Sequence, residues 1–409
     1  MNILKLRRIL SGSAPFLSGA FAILLAIAIV AAPESSFAAS LQGLKLWWTL
    51  VFPALLPFLI LSEMLTASGL VHGLGVLLAP LMSKVFRLPG IGGWTLALGM
   101  SAGFPSGANG VMQLHKQGSI SDNEAGRLAA LAHFASPVSL LIVVGTAFLH
   151  SPAAGYALLA IHWFSGLLAG CTSALIRRKP ADSHAPDAAA GARHTKLPLF
   201  KRILKTAAEA REQDGRSFGR LLGESVSSAV QSLMLVGGYM IMFAVAINIV
   251  TSLIPQLPSA LAAGLLEIHL GAKELASTRG ADEGSMGVPG YALLSAALGW
   301  SGICGQLQAL TSLRAAGVRF IPYAFSRLLH GLYAFIGTML LWKPLMNIPT
   351  ADLPAAAGIA PPAEPAGITP AAVWQTLPSL LSMHFMLLAV LLALSAAVYF
   401  LTLLRRPNG

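Results

Sequence analysis

The sequence predicts an all-α polytopic membrane protein, built from two repeats of inverted topology that contain broken or re-entrant helices. Three observations predict this fold class. Hydrophobic residues fill 55% of the 409 positions and charged residues only 11%, against roughly 25% charged residues in an average soluble domain. Long windows contain no Asp, Glu, Lys or Arg, and a glycine-interrupted apolar segment occurs twice. With a mean hydropathy of +0.71, the composition excludes an ordinary soluble enzyme, a disordered chain and a nucleic-acid-binding protein, despite a net charge of +11.

The charge-free windows locate the membrane-spanning helices, because a helix crosses a bilayer in about 20 residues. The window 128–176 is long enough for two spans, which we place at 122–149 and 153–176. Ser121–Glu124 is expected to be a capping box at the start of the first of these, and Ser136–Pro137 to kink it. The other predicted spans are 45–66, 226–252 and 384–404. The segment 88–115 is expected to dip into the membrane and return, and the segments 70–86 and 258–275 either to span the membrane or to re-enter it.

The N-terminal 40 residues allow two interpretations. Lys5, Arg7 and Arg8 precede an apolar run, Phe16–Ala32, and this order is found in signal peptides as well as in first transmembrane helices. The run is long for a signal peptide, and further spans follow it. We therefore expect residues 1–40 to form an uncleaved transmembrane helix, with a cleaved signal peptide as the alternative.

Basic residues concentrate in one stretch of the chain. Of the 27 Lys and Arg residues, 11 lie within 177–224, and positively charged loops belong on the cytoplasmic side of a membrane. Residues 177–221 are therefore predicted to be a cytoplasmic linker with an amphipathic surface helix. The linker joins a first repeat, 41–176, to a second repeat, 222–404, which includes a Pro/Ala-rich loop at 344–380.

A weak internal repeat supports this division. Residues 97–103 (ALGMSAG) recur 200 positions later as 297–303 (ALGWSGI). An odd number of membrane crossings within the first repeat gives the second repeat the opposite orientation, which is typical of secondary transporters. One observation disagrees: strict inversion places Arg405 and Arg406 outside, whereas the positive-inside bias places them inside. The side of the C-terminus therefore stays open.

The two repeated segments are the predicted binding site. The run 99–110 contains four glycines and Pro105, which do not form a strong continuous helix, and 299–308 is the second interruption. Unwound backbone inside a membrane is tolerated only where it is buried in protein or lines a watery cavity, and the N-termini of half-helices attract anions. The predicted substrate-binding residues are Gly103, Pro105, Ser106, Gly107, Asn109, Ser301, Gly302, Gly305, Gln306 and Gln308. Close helix packing through small residues is the alternative interpretation.

Four ionisable residues in or beside apolar segments are further candidates. A carboxylate in a membrane is costly and usually functional, so Glu63 and Glu267 are predicted to bind a coupling proton or Na⁺; alternatively, each ends its helix at the interface. Arg127 and Arg327 lie early in their helices, where long basic side chains are expected to reach the interface. Their symmetric positions also allow an anion gate on each side of the membrane.

An enzymatic function is an alternative from another class. Gly299–Gly302 (GWSG) matches the short motif around the nucleophile of rhomboid intramembrane proteases, for which His330 is the candidate base. Such a motif often arises by chance, and His133 and His330 are otherwise expected to be core residues with satisfied hydrogen bonds, so we predict that the chain is not an enzyme. Cys171 and Cys304 provide neither a disulfide framework nor a four-ligand metal site, and we expect no cofactor and no metal.

Four ordered blocks connect the sequence with a known family: WWTLVFPALLPF at 47–58, FRLPG at 86–90, GFPSGA at 103–108 and LLEIHLG at 265–271. In these blocks the chain resembles the YlbJ (SpoVV) family of sporulation integral membrane proteins, and the resemblance covers nearly the whole chain apart from the basic linker and the Pro/Ala-rich loop. It implies a nucleoside-recognition Gate domain like that of concentrative nucleoside transporters, with the family's glutamate at Glu267. His269 stands where the family pattern has Thr.

The resemblance also implies a function. It implies an endospore-forming bacterium, a multi-pass protein of the mother-cell or outer forespore membrane, a part in spore cortex formation and the movement of dipicolinate. We therefore expect a carrier of a small organic anion, with dipicolinate as the first candidate. Its expected partners are that anion, the lipid bilayer and a coupling proton or Na⁺, without nucleic acid; homo-oligomerisation stays open. A nucleoside-type solute carrier and a non-transporting scaffold for spore-envelope assembly are the alternatives.

Overall fold

A computed structural model describes residues 19–20, 22–176, 198–277, 286–347 and 389–399 of the chain. These residues form helices and short connections, and no strand occurs among them, so the predicted all-α class is confirmed. Several expectations concern residues outside the described part: the basic positions 5, 7 and 8, residues 177–197 of the linker, residues 348–380 of the Pro/Ala-rich loop, both ends of the predicted span 384–404, and Arg405 and Arg406.

The helices follow one another with few long connections. In chain order they are α1 (Ala22–Ala31), α2 (Pro33–Ala67), α3 (Leu70–Phe86), α4 (Gly93–Ala102), α5 (Phe104–Lys116), α6 (Asp122–Leu131), α7 (Ser139–Phe148), α8 (Pro152–Ile176), α9 (Leu199–Asp214), α10 (Phe218–Leu253), α11 (Ser259–Leu266), α12 (Ile268–Ser277), α13 (Gly287–Trp300), α14 (Gly302–Ser312), α15 (Phe320–Met346) and α16 (Ala389–Tyr399). The segment α7 is a π-helix, and α2 and α3 each contain one π-helical stretch.

Several helices are suited to crossing a membrane. Among the described residues, α2, α8, α10 and α15 are long and apolar enough, with 35, 25, 36 and 27 residues. The helix α3 and the segment Gly90–Ala102 form a further candidate, a broken span or re-entrant loop bent by 113°. The polytopic class is therefore confirmed. The predicted span 45–66 is only the second part of α2, which begins already at Pro33 and continues to Ala67.

The two longest helices, α2 and α10, pack side by side. The indole Nε1 of Trp47 donates to the carbonyl of Leu233 (2.9 Å), and a Cβ on Gly237 would lie 2.5 Å from that indole ring. Near the C-terminal end of α10, Asn248 Nδ2 donates to Ser35 Oγ (3.2 Å). Because Gly237 leaves room for the tryptophan, the two helices stay in contact over much of their length.

The predicted span 122–149 is wrong, because the chain is interrupted in its middle. The capping box expected at its start is present, with Ser121 and Glu124 bonding reciprocally, but α6 ends at Leu131 and helical backbone resumes only at Pro137, two residues before α7. Pro137 lacks the N–H that a continuous helix requires, and Ser136 Oγ accepts a hydrogen bond from the backbone N–H of Ser139 (3.1 Å). The expected kink is therefore a complete interruption that starts a new helix.

The order of helices in the first part of the chain is repeated in the second part. The positions that correspond are not the ones that the sequence repeat pairs, 200 residues apart. The helices α4 and α5 pack back on each other around Gly103, as α11 and α12 do around Glu267. Each hairpin is followed by an interrupted helix (α6–α7, then α13–α14) and by a long helix (α8, then α15). Gly103 and Glu267 are 164 positions apart and the starts of α8 and α15 are 168 apart, so Gly103 corresponds to Glu267 rather than to residue 303. The opposite orientation of the halves and the repeat boundaries stay predictions.

Candidate functional site

Four helix interruptions meet inside the protein, at Gly103, at residues 132–136, at Glu267 and at Ser301. We call this region the junction. It contains a cavity of about 20 Å³. At each interruption, either a residue of the interruption itself or the residue directly after it lines the cavity wall. The lining residues are Phe104, Ala135, Ser139, Val144, Ile268, His269, Ala272, Leu298 and Ser301. Since a water molecule needs about 10–15 Å³, the cavity has room for one water or a small ion, and it is too small for an organic anion.

Glycines allow the interruptions to approach one another. A Cβ on Gly107 would lie 2.5 Å from the carbonyl oxygen of Ala132, and one on Gly302 would lie 2.9 Å from that of Leu266. The predicted break at Gly103 is present with φ +93, and at the other predicted break both Ser301 (φ +67) and Gly302 (φ +66) are left-handed. A non-glycine residue rarely adopts that conformation, so Ser301 is held there by its surroundings.

His133 is the side chain that connects the two halves at the junction. Its Nε2 hydrogen-bonds Ser301 Oγ (2.9 Å), and its Nδ1 hydrogen-bonds the hydroxyl of Tyr323. Its ring stacks on Phe104, with centroids 4.7 Å apart and planes at 13°. Both ring nitrogens are therefore satisfied, as expected for a core histidine. The sequence did not suggest its central position, although the Ser136–Pro137 pair three residues later is a typical helix-start signal.

Arg327 is buried, so the expectation that its side chain reaches the interface is wrong. It is 2% exposed and donates to the carbonyls of His133 and, at 3.1 Å, Ala130. These carbonyls lie at and just beyond the end of α6, where the interruption leaves them without helical partners and with partial negative charge. The broken helix end thus holds a guanidinium group inside the protein.

Glu267 occupies the tip of the second hairpin and is 1% exposed. Its Oε2 accepts a hydrogen bond from the backbone N–H of Leu270 (2.7 Å), and its Oε1 hydrogen-bonds His269 Nδ1 (2.9 Å). The carboxylate therefore caps α12, and the capped helix places His269 in the wall of the junction cavity. A buried carboxylate beside a cavity of this size is compatible with the predicted ion-coupling role.

The predicted residues of α14 lie close behind Ser301. Gly305 faces the ring of Phe104, so α14 packs on α5 at this point. Gln306 and Gln308 are buried; their amide nitrogens donate to the carbonyl of Trp300 (3.0 Å) and to Cys304 Sγ (3.2 Å). Their amide oxygens have no hydrogen-bond partner within the described part of the chain.

Three predicted residues line a separate polar cavity. Ser106, Asn109 and Glu63 face a space of about 90 Å³ between α2, α5 and α10, together with hydroxyl groups that include Ser225. Pro105 lies in the first turn of α5. Four residues of this cavity also line a wider one of about 1080 Å³ bordered by α9. The predicted site is therefore divided: Gly103, Gly107, Ser301, Gly302, Gly305 and Glu267 gather at or beside the junction, whereas Glu63, Ser106 and Asn109 lie in the polar cavity.

Arg127 and Arg327 line the same cavity, of about 330 Å³, so the expectation of one anion gate on each side of the membrane is wrong. Arg127 donates to the carbonyl of Phe86 (2.6 Å). The two arginines occupy unlike positions, because Arg127 lies on the interrupted α6 and Arg327 on the long α15. The two arginines are at matching positions only in the 200-residue offset of the sequence repeat.

The hydrogen bonds do not assemble the protease pair that the GWSG motif suggested. Ser301 bonds His133, whereas His330 Nε2 hydrogen-bonds the carbonyl of His162 (2.9 Å). His330 is buried beside the ring of His162, with centroids 4.5 Å apart. These contacts give His330 a structural role in the packing of α8 against α15.

Arg216 joins the surface helix α9 to α2 and α10. Its guanidinium group contacts Asp214 (2.6 Å), Glu224 (3.2 Å) and Glu63 (3.3 Å). Glu63 is thus an ion-paired residue with 41% of its side chain exposed. No residue of α9 is buried, which agrees with the amphipathic surface helix expected in the linker.

The Arg216 contacts predict a pH-dependent contribution to stability. The hydrogen bonds and charge of Arg216 lower the pKa of Asp214 below its ordinary value. A lowered pKa means that the pairing stabilises the fold above the ordinary carboxyl pKa and that this contribution disappears as the pH falls through the lowered value. Arg216→Gln is expected to lower the melting temperature at pH 7 by a small amount, since such pairs contribute at most about 1 kcal/mol, and the difference from the wild type should shrink progressively as the pH falls below the ordinary carboxyl pKa of about 3.9. A difference that grows in acid would contradict this assignment.

Comparison with known proteins gives two findings. A family model described as nucleoside recognition (Gate) matches residues 48–161, which include the first hairpin and the first interrupted helix. The sporulation integral membrane protein YlbJ of Bacillus subtilis (strain 168) is 35% identical over 367 residues, covering 84% of this chain and 85% of that protein. No solved structure matches the chain significantly.

Proposed function

Because the chain belongs to the family of the sporulation integral membrane protein YlbJ, we propose that it carries a small organic anion across a membrane of a spore-forming bacterium, with dipicolinate as the substrate. It is a multi-pass membrane protein with a Gate region. The observation that supports transport most strongly is the meeting of four helix interruptions around one cavity. Interrupted helices at a common point are the usual construction of a solute site in secondary transporters.

The chemistry of the junction favours an anion. The helices α5 and α14 begin at interruptions without a side-chain cap, and such a helix N-terminus presents unpaired N–H groups and partial positive charge. A planar dicarboxylate offers two anionic groups that separate N-termini bind at the same time. The cavity of about 20 Å³ is then a closed state, and substrate entry requires the two hairpins to move apart.

Glu267 is the residue that we assign to ion coupling. Its carboxylate is buried and lies next to His269, which lines the junction cavity. Glu63 fits this role less well, since Arg216 already compensates its charge at a partly exposed position. The proposed cycle therefore binds its proton or Na⁺ at the tip of the second hairpin.

A nucleoside-type carrier is the second candidate. The Gate description favours it, and so does the polar cavity, whose lining of Ser106, Asn109 and Ser225 offers neutral groups suited to a sugar. Domain likeness alone is a weak reason for a substrate, and the polar cavity of about 90 Å³ is too small for a nucleoside in this conformation. Dipicolinate therefore stays the first choice.

The test is uptake by proteoliposomes that contain the purified full chain. We expect radiolabelled dipicolinate to enter at least tenfold faster than into protein-free liposomes, and unlabelled dipicolinate to compete whereas uridine does not. Uptake of labelled uridine without uptake of dipicolinate would favour the nucleoside carrier. A folded protein that moves neither compound under a proton or Na⁺ gradient would favour the scaffold for spore-envelope assembly.

A further inference from the structure

Buried groups that exchange protons form a chain from a cavity at the protein surface to the junction. Tyr323 lines the cavity of about 330 Å³ between α6, α8 and α15, which we call the Tyr323 cavity, and its hydroxyl hydrogen-bonds His133 Nδ1. The other ring nitrogen of His133 hydrogen-bonds Ser301 Oγ (2.9 Å). Asp122 and Arg319, both exposed and charged, also line the Tyr323 cavity, so water rather than lipid enters it.

A second hydrogen-bonded pair joins the junction cavity to the buried carboxylate. Ser301 and His269 both line that cavity of about 20 Å³, which has room for one water molecule. His269 bonds Glu267 Oε1 through its Nδ1 (2.9 Å), so Nε2 is the ring nitrogen left to contact a water in the cavity. One water molecule there completes a path from Tyr323 to Glu267.

Each side chain that precedes Glu267 on this path has the chemistry that a proton relay requires. A hydroxyl group and a neutral imidazole each combine one donor with an acceptor, and histidine commonly acts as a proton shuttle. These four side chains are all buried, with exposed fractions of 2% for Tyr323 and His133, 4% for Ser301 and 8% for His269. The path is therefore separated from bulk solvent between the two cavities.

The wall of the junction cavity suits a proton better than Na⁺. Within the described part of the chain, its polar side chains are those of Ser139, His269 and Ser301, and its other lining residues are apolar. Hard cations bind several oxygen ligands, whereas an imidazole nitrogen suits transition metals. Because His269 lies between the cavity and the carboxylate of Glu267, that imidazole transmits a proton and not a metal ion.

The ionisable groups around the path favour passage of a proton over its retention on His133. The groups that interact electrostatically with the path are Arg327, His162 and His330 at His133, and Cys304 at Glu267. Arg327 also donates to the carbonyl of His133, so a proton held on that ring would lie beside a guanidinium charge. The carboxylate of Glu267 is the group on the path whose charge a proton neutralises.

We propose that the coupling ion is a proton and that it reaches Glu267 from the Tyr323 cavity through Tyr323, His133, Ser301, one water molecule and His269. The coupling role of Glu267 rests on the proposed function, whereas the path rests on the hydrogen bonds and the cavity. The relay begins when a hydronium ion in the Tyr323 cavity gives a proton to the Tyr323 oxygen as the hydroxyl proton of Tyr323 passes to His133 Nδ1.

The remaining transfers bring a proton to the carboxylate. The proton on His133 Nε2 passes to Ser301 Oγ, and the hydroxyl proton of Ser301 passes to the water in the junction cavity. That water protonates His269 Nε2, and the proton on His269 Nδ1 passes to Glu267. Each group between the hydronium ion and the carboxylate gains one proton and loses one, so Glu267 alone among the side chains changes charge. Rotation of the imidazoles and hydroxyls restores their starting arrangement.

The test follows the protonation of Glu267 in the full chain, reconstituted in proteoliposomes without any substrate. Time-resolved infrared difference spectra after a jump to acid pH detect the C=O band of the carboxylic acid, which is assigned to Glu267 by its loss in Glu267→Gln. The relay variants are Tyr323→Phe and Ser301→Ala, each of which removes one hydroxyl group and keeps the Cβ. The matched control is Tyr333→Phe, also on α15, whose hydroxyl hydrogen-bonds Thr172 Oγ1 (2.9 Å) outside the path.

Both relay variants are expected to slow the appearance of the band about 100-fold. Its final amplitude at acid pH should stay unchanged, because the carboxylate is in place and only the path to it is cut. The control should be protonated at the wild-type rate. A wild-type rate in either relay variant, measured on folded protein, would overturn the proposal, even if that variant has a lower melting temperature, because the hydroxyl then serves folding alone.

Dipicolinate uptake separates this proposal from the proposed function. Slow protonation in both relay variants, together with no dipicolinate uptake by the wild type, would keep the relay and remove the proposed function. Dipicolinate uptake that a Na⁺ gradient drives and a pH gradient does not would overturn the proton as coupling ion and keep the proposed function.

Discussion

Gly107→Leu is expected to abolish dipicolinate uptake. A Cβ at this position would lie 2.5 Å from the carbonyl oxygen of Ala132 and 3.0 Å from the Cα of Gly99. Both neighbours are backbone atoms that cannot rotate away, so the larger side chain must push α5 from the interruption between α6 and α7. Overpacking of this kind costs about 1–3 kcal/mol or more, and it separates two of the four interruptions that form the junction.

The measurement is uptake by proteoliposomes together with the melting temperature of the purified protein. Gly107→Ala should show an intermediate loss, because its methyl group meets the same carbonyl. Gly238→Leu is the matched control, since nothing lies within 4 Å of a Cβ there and α10 carries it on an exposed face. Normal uptake by a folded Gly107→Leu protein would show that the junction is not the transport site.

Glu267→Gln is expected to remove the dependence of uptake on the coupling ion. The amide oxygen of glutamine still accepts a hydrogen bond from the N–H of Leu270, so α12 keeps its cap and most of its stability. The negative charge that would bind a proton or Na⁺ is lost. We expect uptake at least tenfold slower and a flat response to pH or to Na⁺, where the wild type responds to one of them. Glu267→Ala removes the cap as well and should lower stability by about 1–2 kcal/mol.

Glu124 provides a matched control for this prediction. It is also a buried capping glutamate, 2% exposed, and it bonds the N–H and hydroxyl of Ser121 at the start of α6. Glu124→Gln should change stability about as much as Glu267→Gln does, without altering the ion dependence of uptake. An unchanged ion profile in Glu267→Gln, or an equal change in Glu124→Gln, would exclude Glu267 as the coupling residue.

The interruptions at Gly103 and Ser301 were predictable because glycine and proline weaken a helix wherever they occur. The tip at Glu267 was predictable only as the end of an apolar run, since the residues adjoining it are apolar and none of them is proline. Ser136–Pro137 indicates more than the expected kink: a serine that caps the following turn and a proline without an N–H together start a new helix, whereas a proline alone often only kinks one.

The register of the repeat and the position of Arg327 were not predictable in the same way. Small residues recur wherever two backbones approach closely, so the matching strings at 97–103 and 297–303 reflect a shared packing requirement rather than equivalent positions in the two halves. Arg327 is buried because carbonyls at a broken helix end, about 195 positions earlier in the chain, accept its hydrogen bonds. A sequence shows neither that helix end nor its distance from α15.

The paired helices α2 and α10 also provide a scale for depth in the bilayer. Ser35 and Glu63 are both on α2, and a rise of 1.5 Å per residue separates them by about 42 Å. That length matches the full thickness of a bilayer including its headgroups, about 40–45 Å. The Ser35–Asn248 contact and the Glu63–Arg216 pair therefore lie far enough apart along α2 for both of these polar contacts to reach water, one on each side of a bilayer.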